Sequence, residues 1–206
     1  MGPIFRPTQE EESKALNNKK ILVVGKFKDR RGSEFIAKEI QSWIYSHWRF
    51  RGLIIVEKVE DLFLLKFTRE EDCNALLRYG HGNYKGALIV FKRCLIGHAL
   101  RSMNFDGAYL WVQVEGLPVH YSTVSIASRV LARIGQVLCF DKESLTPPPP
   151  PLRGSFRVKV WISLNRPLIP RFYFEFEQGS YEWVDFRYEG VFVYCRMCGV
   201  IGHKVL

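Results

Sequence analysis

The sequence predicts an α+β fold in two consecutive units, and three observations carry that expectation. Apolar runs of strand length, rich in Val, Ile, Leu and Phe, recur along the chain and end at Gly, Pro or charged turns. Only a few segments show helical spacing instead, and each follows a strand-like run. The rhythm breaks around 97–108 and then restarts, which separates a first unit from a second.

Residues 1–18 (MGPIFRPTQEEESKALNN) form a polar lead without a clear period and are expected to be flexible. KKILVVGKF (19–27) reads as a strand. Ser33 is a candidate N-cap for a helix over about 34–45, in which Phe35, Ile36, Ile40, Trp43 and Ile44 share one face. LIIVEKV (53–59) and LFLLKFT (62–68) read as strands around a tight acidic turn. EEDCNALLRYG (70–80) reads as a short helix whose acidic first turn suits the helix dipole, and ALIVFKR (87–93) as a fourth strand. The order β-α-β-β-α-β over 19–96 predicts a ferredoxin-like unit, the arrangement also used by RNA-recognition motifs, with an antiparallel four-stranded sheet.

The second α+β unit spans 109–190. It opens with the strand YLWVQVEG (109–116), ended by Gly116-Leu117-Pro118. Ser122 or Thr123 caps a helix that turns Ala127, Val130, Leu131 and Ile134 inward, and Gly135 stops it. QVLCFD (136–141) and FRVKVWISL (156–164) read as strands separated by five prolines at 147–151, a stiff spacer or projecting loop. RFYFEFE (171–177) alternates, with Phe172, Phe174 and Phe176 on one face and Tyr173, Glu175 and Glu177 on the other. With SYEWVDFRY (180–188) it predicts an antiparallel hairpin. No sequence repeat links the units, although both open strand-helix-strand.

The formal net charge is +9 over 206 residues, and the excess lies wholly in residues 20–164, with 22 basic and 13 acidic side chains. A basic body suits a polyanionic partner, because each neutralised phosphate releases condensed counterions. No apolar run approaches the roughly 18 residues that span a bilayer, and the N-terminus lacks a secretory h-region, so a soluble intracellular protein is expected. Five cysteines, an odd number, argue against a disulfide framework. Cys73, Cys94 and Cys139 sit in apolar surroundings and read as core residues.

The strongest local signal closes the chain. Within 191–206, Cys195-Arg-Met-Cys198-Gly-Val-Ile-Gly-His203 is C-x2-C-x4-H, the first three ligands of a C-x2-C-x4-H-x4-C zinc knuckle. A two-residue gap lets both thiolates reach one tetrahedral ion, and Gly199 and Gly202 let the backbone fold tightly around it. The fourth ligand would fall at position 208, past Leu206, so the knuckle reads as partial. Zinc is the cofactor expected of the complete knuckle, and three ligands alone leave an open site.

The opening KKILVVGKF, the block WVQVEGLPVHYSTVSIASRVLARIGQVLCFD and the ending YCRMCGVIGH together resemble a plant family, the domain of unknown function 4283 followed by such a knuckle. The resemblance covers roughly residues 19–206 and extends to the first-open-reading-frame proteins of LINE-type retrotransposons. It implies nucleic-acid binding, a packaging or chaperone-like role without catalysis, and a nuclear location. An active element, a host gene and a decayed fragment all stay open.

In the first unit, Leu22, Leu62 and Leu64 occupy the positions where an RNA-recognition motif places base-stacking aromatics, while Phe63, Leu65 and Phe67 point to the core. Bare leucines there would be sticky, so that face is expected to be covered by the second unit or a partner. Binding then rests on charge. The candidate phosphate contacts are Lys26, Lys28, Arg30 and Arg31; Arg49 and Arg51; Lys92 and Arg93; and Arg129 and Arg133, with Arg157 and Lys159 as weaker candidates. Trp48, Phe50 and Tyr84 interleave with basic residues but fit core packing better.

No nucleophile motif accompanies the five histidines, and no G-x4-G-K-[ST] is present, so an enzyme is not expected. The reading is a single-stranded RNA or DNA binder. A protein-interaction or self-association module, built on the apolar sheet face and the 171–188 hairpin, stays open beside it.

Overall fold

The computed structural model describes residues 4–17, 21–95, 99–145, 155–177, 179–195 and 197–202. The proline run 147–151 and His203 lie outside these. Where the sequence suggests an irregular polar lead, helix α1 (Gln9–Asn17) forms. Its start is a capping box: the Thr8 N–H donates to the Glu11 carboxylate at 2.7 Å, and the Glu11 N–H donates back to the Thr8 hydroxyl at 3.3 Å. Glu10 and Lys14 add an ion pair one turn apart.

The first unit runs β1 (Ile21–Phe27), a 3-10 turn (Arg30–Ser33), α2 (Ala37–His47), β2 (Ile54–Val59), β3 (Leu62–Phe67), α3 (Glu70–Tyr79), β4 (His81–Tyr84) and β5 (Ala87–Arg93). The strands pair antiparallel in the order β2-β3-β1-β5-β4. Without β4 this is the expected split arrangement. The short strand β4 is an addition, folded back on β5 through Lys85-Gly86, both at positive φ. Helix α2 begins later than its candidate cap suggests. The Ser33 hydroxyl donates to the Arg30 carbonyl and closes the 3-10 turn, and Ile36, still extended, takes the N-cap place. Lys58 holds this entry by donating to the Ser33 and Phe35 carbonyls. Phe35, Ile40, Trp43 and Ile44 are buried as expected, but Ile36 faces solvent.

The second unit runs β6 (Gly107–Glu115), α4 (Val124–Leu131), β7 (Gln136–Phe140), the single turn α5 (Lys142–Leu145), β8 (Phe156–Ser163), β9 (Arg171–Glu177) and β10 (Ser180–Tyr188). Thr123 caps α4 by accepting the Ile126 N–H. The sheet order is β7-β8-β6-β10-β9, again antiparallel throughout. Position for position this repeats the first sheet, with β6 in the place of β1 and β9 in the place of β4. No described helix joins β8 to β9, where α3 would have its counterpart.

Helices α2 and α3 cover one face of the first sheet, closing a core around Val23, Phe63, Leu65, Ile89, Ile40 and Leu76. The other face is also covered. Val24, Leu62, Leu64, Leu88 and Val90 share one buried cluster with Leu110, Val112 and Val160 of the second sheet and Leu131 of α4, and Leu22 packs at its margin. The second unit is therefore the cover the leucines call for. Burying each such side chain stabilises by about 1.5–3 kcal/mol. Polar bonds fasten the two units: Asn83 donates to the Gly190 carbonyl at 3.0 Å, and Lys28 to the Asn165 amide oxygen at 2.9 Å.

Cys73 is fully buried, as expected. Cys94 is only half-buried, and Cys139 is exposed, because β7 is an edge strand and its cysteine lies on the face away from α4. No helix among the described residues is long and apolar enough to cross a membrane.

Candidate functional site

After β10 the chain turns at Gly190 and alternates, burying Val191 and Val193 while exposing Phe192 and Tyr194. It then folds into a small hairpin. Tyr194 bridges Ile201 antiparallel, the Cys195 N–H donates to the Val200 carbonyl at 2.9 Å, and the Gly199 N–H donates to the Cys195 carbonyl at 2.7 Å. Inside this turn the Cys198 N–H donates to Cys195 Sγ at 3.4 Å. That bond holds the Cys195 thiol below its ordinary value, a bias toward the thiolate that binds metal.

Both glycines of the motif are required by their surroundings. Gly202, at φ +96°, lies so close to the first unit that a Cβ would fall 2.1 Å from the Lys28 carbonyl oxygen. Gly199, at φ +72°, packs its backbone on Leu168, whose N–H donates to the Gly199 carbonyl. The hairpin is thus seated against both units. Cys195 is buried within it and Cys198 faces outward.

His203 directly follows Gly202 but lies outside the described residues. Among the described residues no group of three His, Cys, Asp or Glu side chains is placed to hold a metal. The two cysteines alone fit the first half of a tetrahedral zinc site: paired sulfur donors on one turn, one of them polarised by a backbone N–H.

The ten candidate phosphate contacts are spread over the molecule. Lys26 is paired to Asp61, Arg31 to Asp29 and Arg93 to Glu70. Lys28 is half-buried between Phe105 and Asn165, and burial lowers its pKa. Lys92 lies 5.7 Å from the Phe105 ring centre and is likewise lowered by burial. Arg30, Arg49, Arg51, Arg129 and Arg133 are exposed and take no ion-pair partner among the described residues. Of these, Arg129 on α4 and Arg133 in the turn after it are brought together. They line a cleft of about 560 Å³ with Tyr121, Phe172 and Phe174.

Lys159 donates to the Arg78 carbonyl and Arg157 is locked by Glu189, so both weaker candidates serve the fold. Trp48, Phe50 and Tyr84 pack on the first core, as expected, with Trp48 edge-on to Trp43 and parallel to Phe50.

Sequence reasoning singled out the 171–188 hairpin but missed the exposed rings of β6 and β8 and the face they share with it. Tyr109 and Trp161 face each other across β6 and β8, and Trp183 lies against Tyr173 across β10 and β9. The alternation in YLWVQV and VKVWIS was the available signal, but only the strand order puts these rings on one face.

With this geometry in place, a zinc-knuckle family model of the CCHC type matches residues 162–206, from the end of β8 through the hairpin and the cysteine turn. The C-terminal segment is a zinc-knuckle match. No curated protein matches the chain. Such a knuckle points to zinc and to nucleic acid.

Proposed function

We propose that the protein is a non-catalytic binder of single-stranded RNA or DNA, gripping phosphates with its exposed arginines and presenting a zinc knuckle to bases. The observation that carries this is the Cys195–Cys198 turn, pre-shaped by an N–H···S bond and seated on a basic body within the zinc-knuckle match. Cys195 and Cys198 would hold zinc, with His203 supplying nitrogen by sequence spacing. Exposed Phe192, Tyr194 and Met197 surround the turn and offer surfaces for unstacked bases. The resemblance to the retrotransposon-associated domain 4283 family supports an origin in a mobile element and a nuclear location.

The interaction-module reading keeps the hairpin at 171–188 but loses its other surface, since Leu62 and Leu64 are buried by the chain's own second unit.

The test is fluorescence anisotropy of a labelled single-stranded RNA across a salt series. Log affinity is expected to fall linearly with log salt, and a flat response overturns the reading. In parallel, cobalt titration of the full chain is expected to give thiolate charge-transfer absorption that Cys195→Ser removes.

A further inference from the structure

The second sheet has two unlike faces. Helix α4 and the buried valines occupy one. The other carries Tyr109 and Trp111 on β6, Trp161 on β8, Tyr173 on β9, and Tyr181 and Trp183 on β10. Strand register puts all six on the same side: Tyr109 is opposite Trp161, Trp111 opposite Lys159, and Trp183 opposite Tyr173. Five of these rings are more than a third exposed, Tyr109 at 37%, Trp161 at 39%, Trp183 at 42%, Tyr181 at 55% and Tyr173 at 62%.

We infer that this helix-free face is a stacking platform for the bases of a single-stranded nucleic acid. The inference rests on the nucleic-acid reading above and locates the main contact away from the knuckle. Four observations bear on this occupant. The strand positions of β6, β8, β9 and β10 that point to this face carry rings, charged groups, Gln113, Ser163 and Gly107 but no aliphatic side chain, whereas a protein core docking there would need aliphatic contacts. Every base has a π-face that stacks on such rings without sequence choice.

Arginines lie beside the rings. Arg171 sits 5.2 Å from the Trp183 ring centre and Arg157 4.1 Å from that of Trp111, an arrangement that extends the π surface with cationic planes. Asp185 is engaged by Arg171, Glu115 by Arg187 and Glu189 by Arg157, while Glu175 and Glu177 at the far end of β9 take no basic partner among the described residues, so the negative charge is compensated along β6 and β8 but not at that tip. Finally, the face has length. At about 3.3 Å per residue, β6 from Tyr109 to Glu115 spans roughly 20 Å, and the rings continue onto β10 beyond it.

The corresponding face of the first sheet carries leucines and is buried. One sheet of the pair has closed its helix-free face to hold the molecule together; its topological partner is met by the first unit around Lys159, which donates to the Arg78 carbonyl, and leaves Tyr109, Trp161, Tyr173, Tyr181 and Trp183 exposed.

The test compares fluorescently labelled oligo(dT) with an abasic strand of the same length and charge, using the full chain. The native protein is expected to prefer oligo(dT) by about tenfold or more. Trp161→Ala with Trp183→Ala is expected to erase the preference while leaving abasic binding and the circular dichroism spectrum unchanged, and Trp183→Phe to restore part of it. If the native chain binds neither strand, the functional reading falls and this inference with it. If the native chain binds and the double variant keeps the full preference for bases, the platform is overturned and the functional reading stands. Loss of self-association in the double variant without any change in strand binding also overturns it and assigns the face to a second copy of the chain.

Discussion

The guanidinium of Arg157 lies 4.1 Å from the Trp111 ring centre while it grips Glu189 with two nitrogens, at 2.7 and 2.8 Å. A third nitrogen reaches Asp141 at 3.1 Å, and Gln113 donates to the same Glu189 carboxylate. Burial alone would raise the Glu189 carboxyl, but Arg157 and Gln113 outweigh it and hold it below its ordinary value. The fork braces β8 and β6 to the ends of β7 and β10. Removing one partner of a buried pair costs about 3–5 kcal/mol, and partial solvent screening here reduces the expectation to roughly 2 kcal/mol. Arg157→Ala should lose that amount in urea unfolding. Arg157→Lys should recover little of it, because a lysine cannot make the two-pronged contact.

Leu64 tests the packing of the two units. On the helix-free side of a lone sheet it would be a surface residue, and Leu64→Ala would change stability by less than about 0.5 kcal/mol. Buried at 8% exposure in the cluster shared with the second sheet, it should instead cost about 2–4 kcal/mol. Denaturant melts followed by tryptophan fluorescence separate the two values.

Much of this architecture was legible because strand periodicity is local. The runs at β3, β5, β6 and β10 carry their own alternation or apolar content, and Thr123 marks its helix through one cap. Strand β4 was not legible. His81-Gly82-Asn83-Tyr84 has no apolar pattern and is held by pairing with β5 and by the second unit. Ser33 failed as a cap because Lys58, 25 residues away, fixes the extended entry to α2. The cysteine turn was legible from spacing alone, since the residues of the motif lie within nine positions of one another. The aromatic face was not, because it depends on β6 and β8 being neighbours, and 49 residues separate their starts in sequence. The topological repeat of the two sheets leaves no sequence echo, for strand order constrains pattern and not identity.

His81 should make stability depend on pH. Its ring is buried where the units meet, and Nδ1 donates toward the Tyr79 and Tyr109 carbonyls, both at 3.1 Å. Burial lowers its pKa. The two carbonyls and Glu189 oppose this, and Lys159 reinforces it. The unfolded histidine takes its proton near its ordinary value of about 6.5 and the folded one does so only at lower pH. Stability is therefore fully present above about pH 6.5 and is lost as pH falls toward the folded value, by up to about 1.4 kcal/mol per pH unit. His81→Asn keeps a donor without a titrating group. The difference between native and variant melting midpoints should shrink steadily from pH 7 to pH 5.5, and a constant difference would rule the effect out.

Gly202 couples the knuckle to the first unit. Any side chain there meets the Lys28 carbonyl, and φ +96° strains an L-residue in any case. Gly202→Ala cannot be relieved by a rotamer, because the obstacle is backbone, so the hairpin must lift from its seat. The Gly202 N–H to the Val193 carbonyl, at 3.2 Å, and the bridge between Tyr194 and Ile201 should break with it. Amide hydrogen exchange should then accelerate at Cys195, Gly199 and Gly202, while β1, β3 and β8 keep their protection. The cost should be about 1–3 kcal/mol, confined to this hairpin. Acceleration across the first sheet as well would mean that the knuckle is part of the folding unit and not a module docked on it.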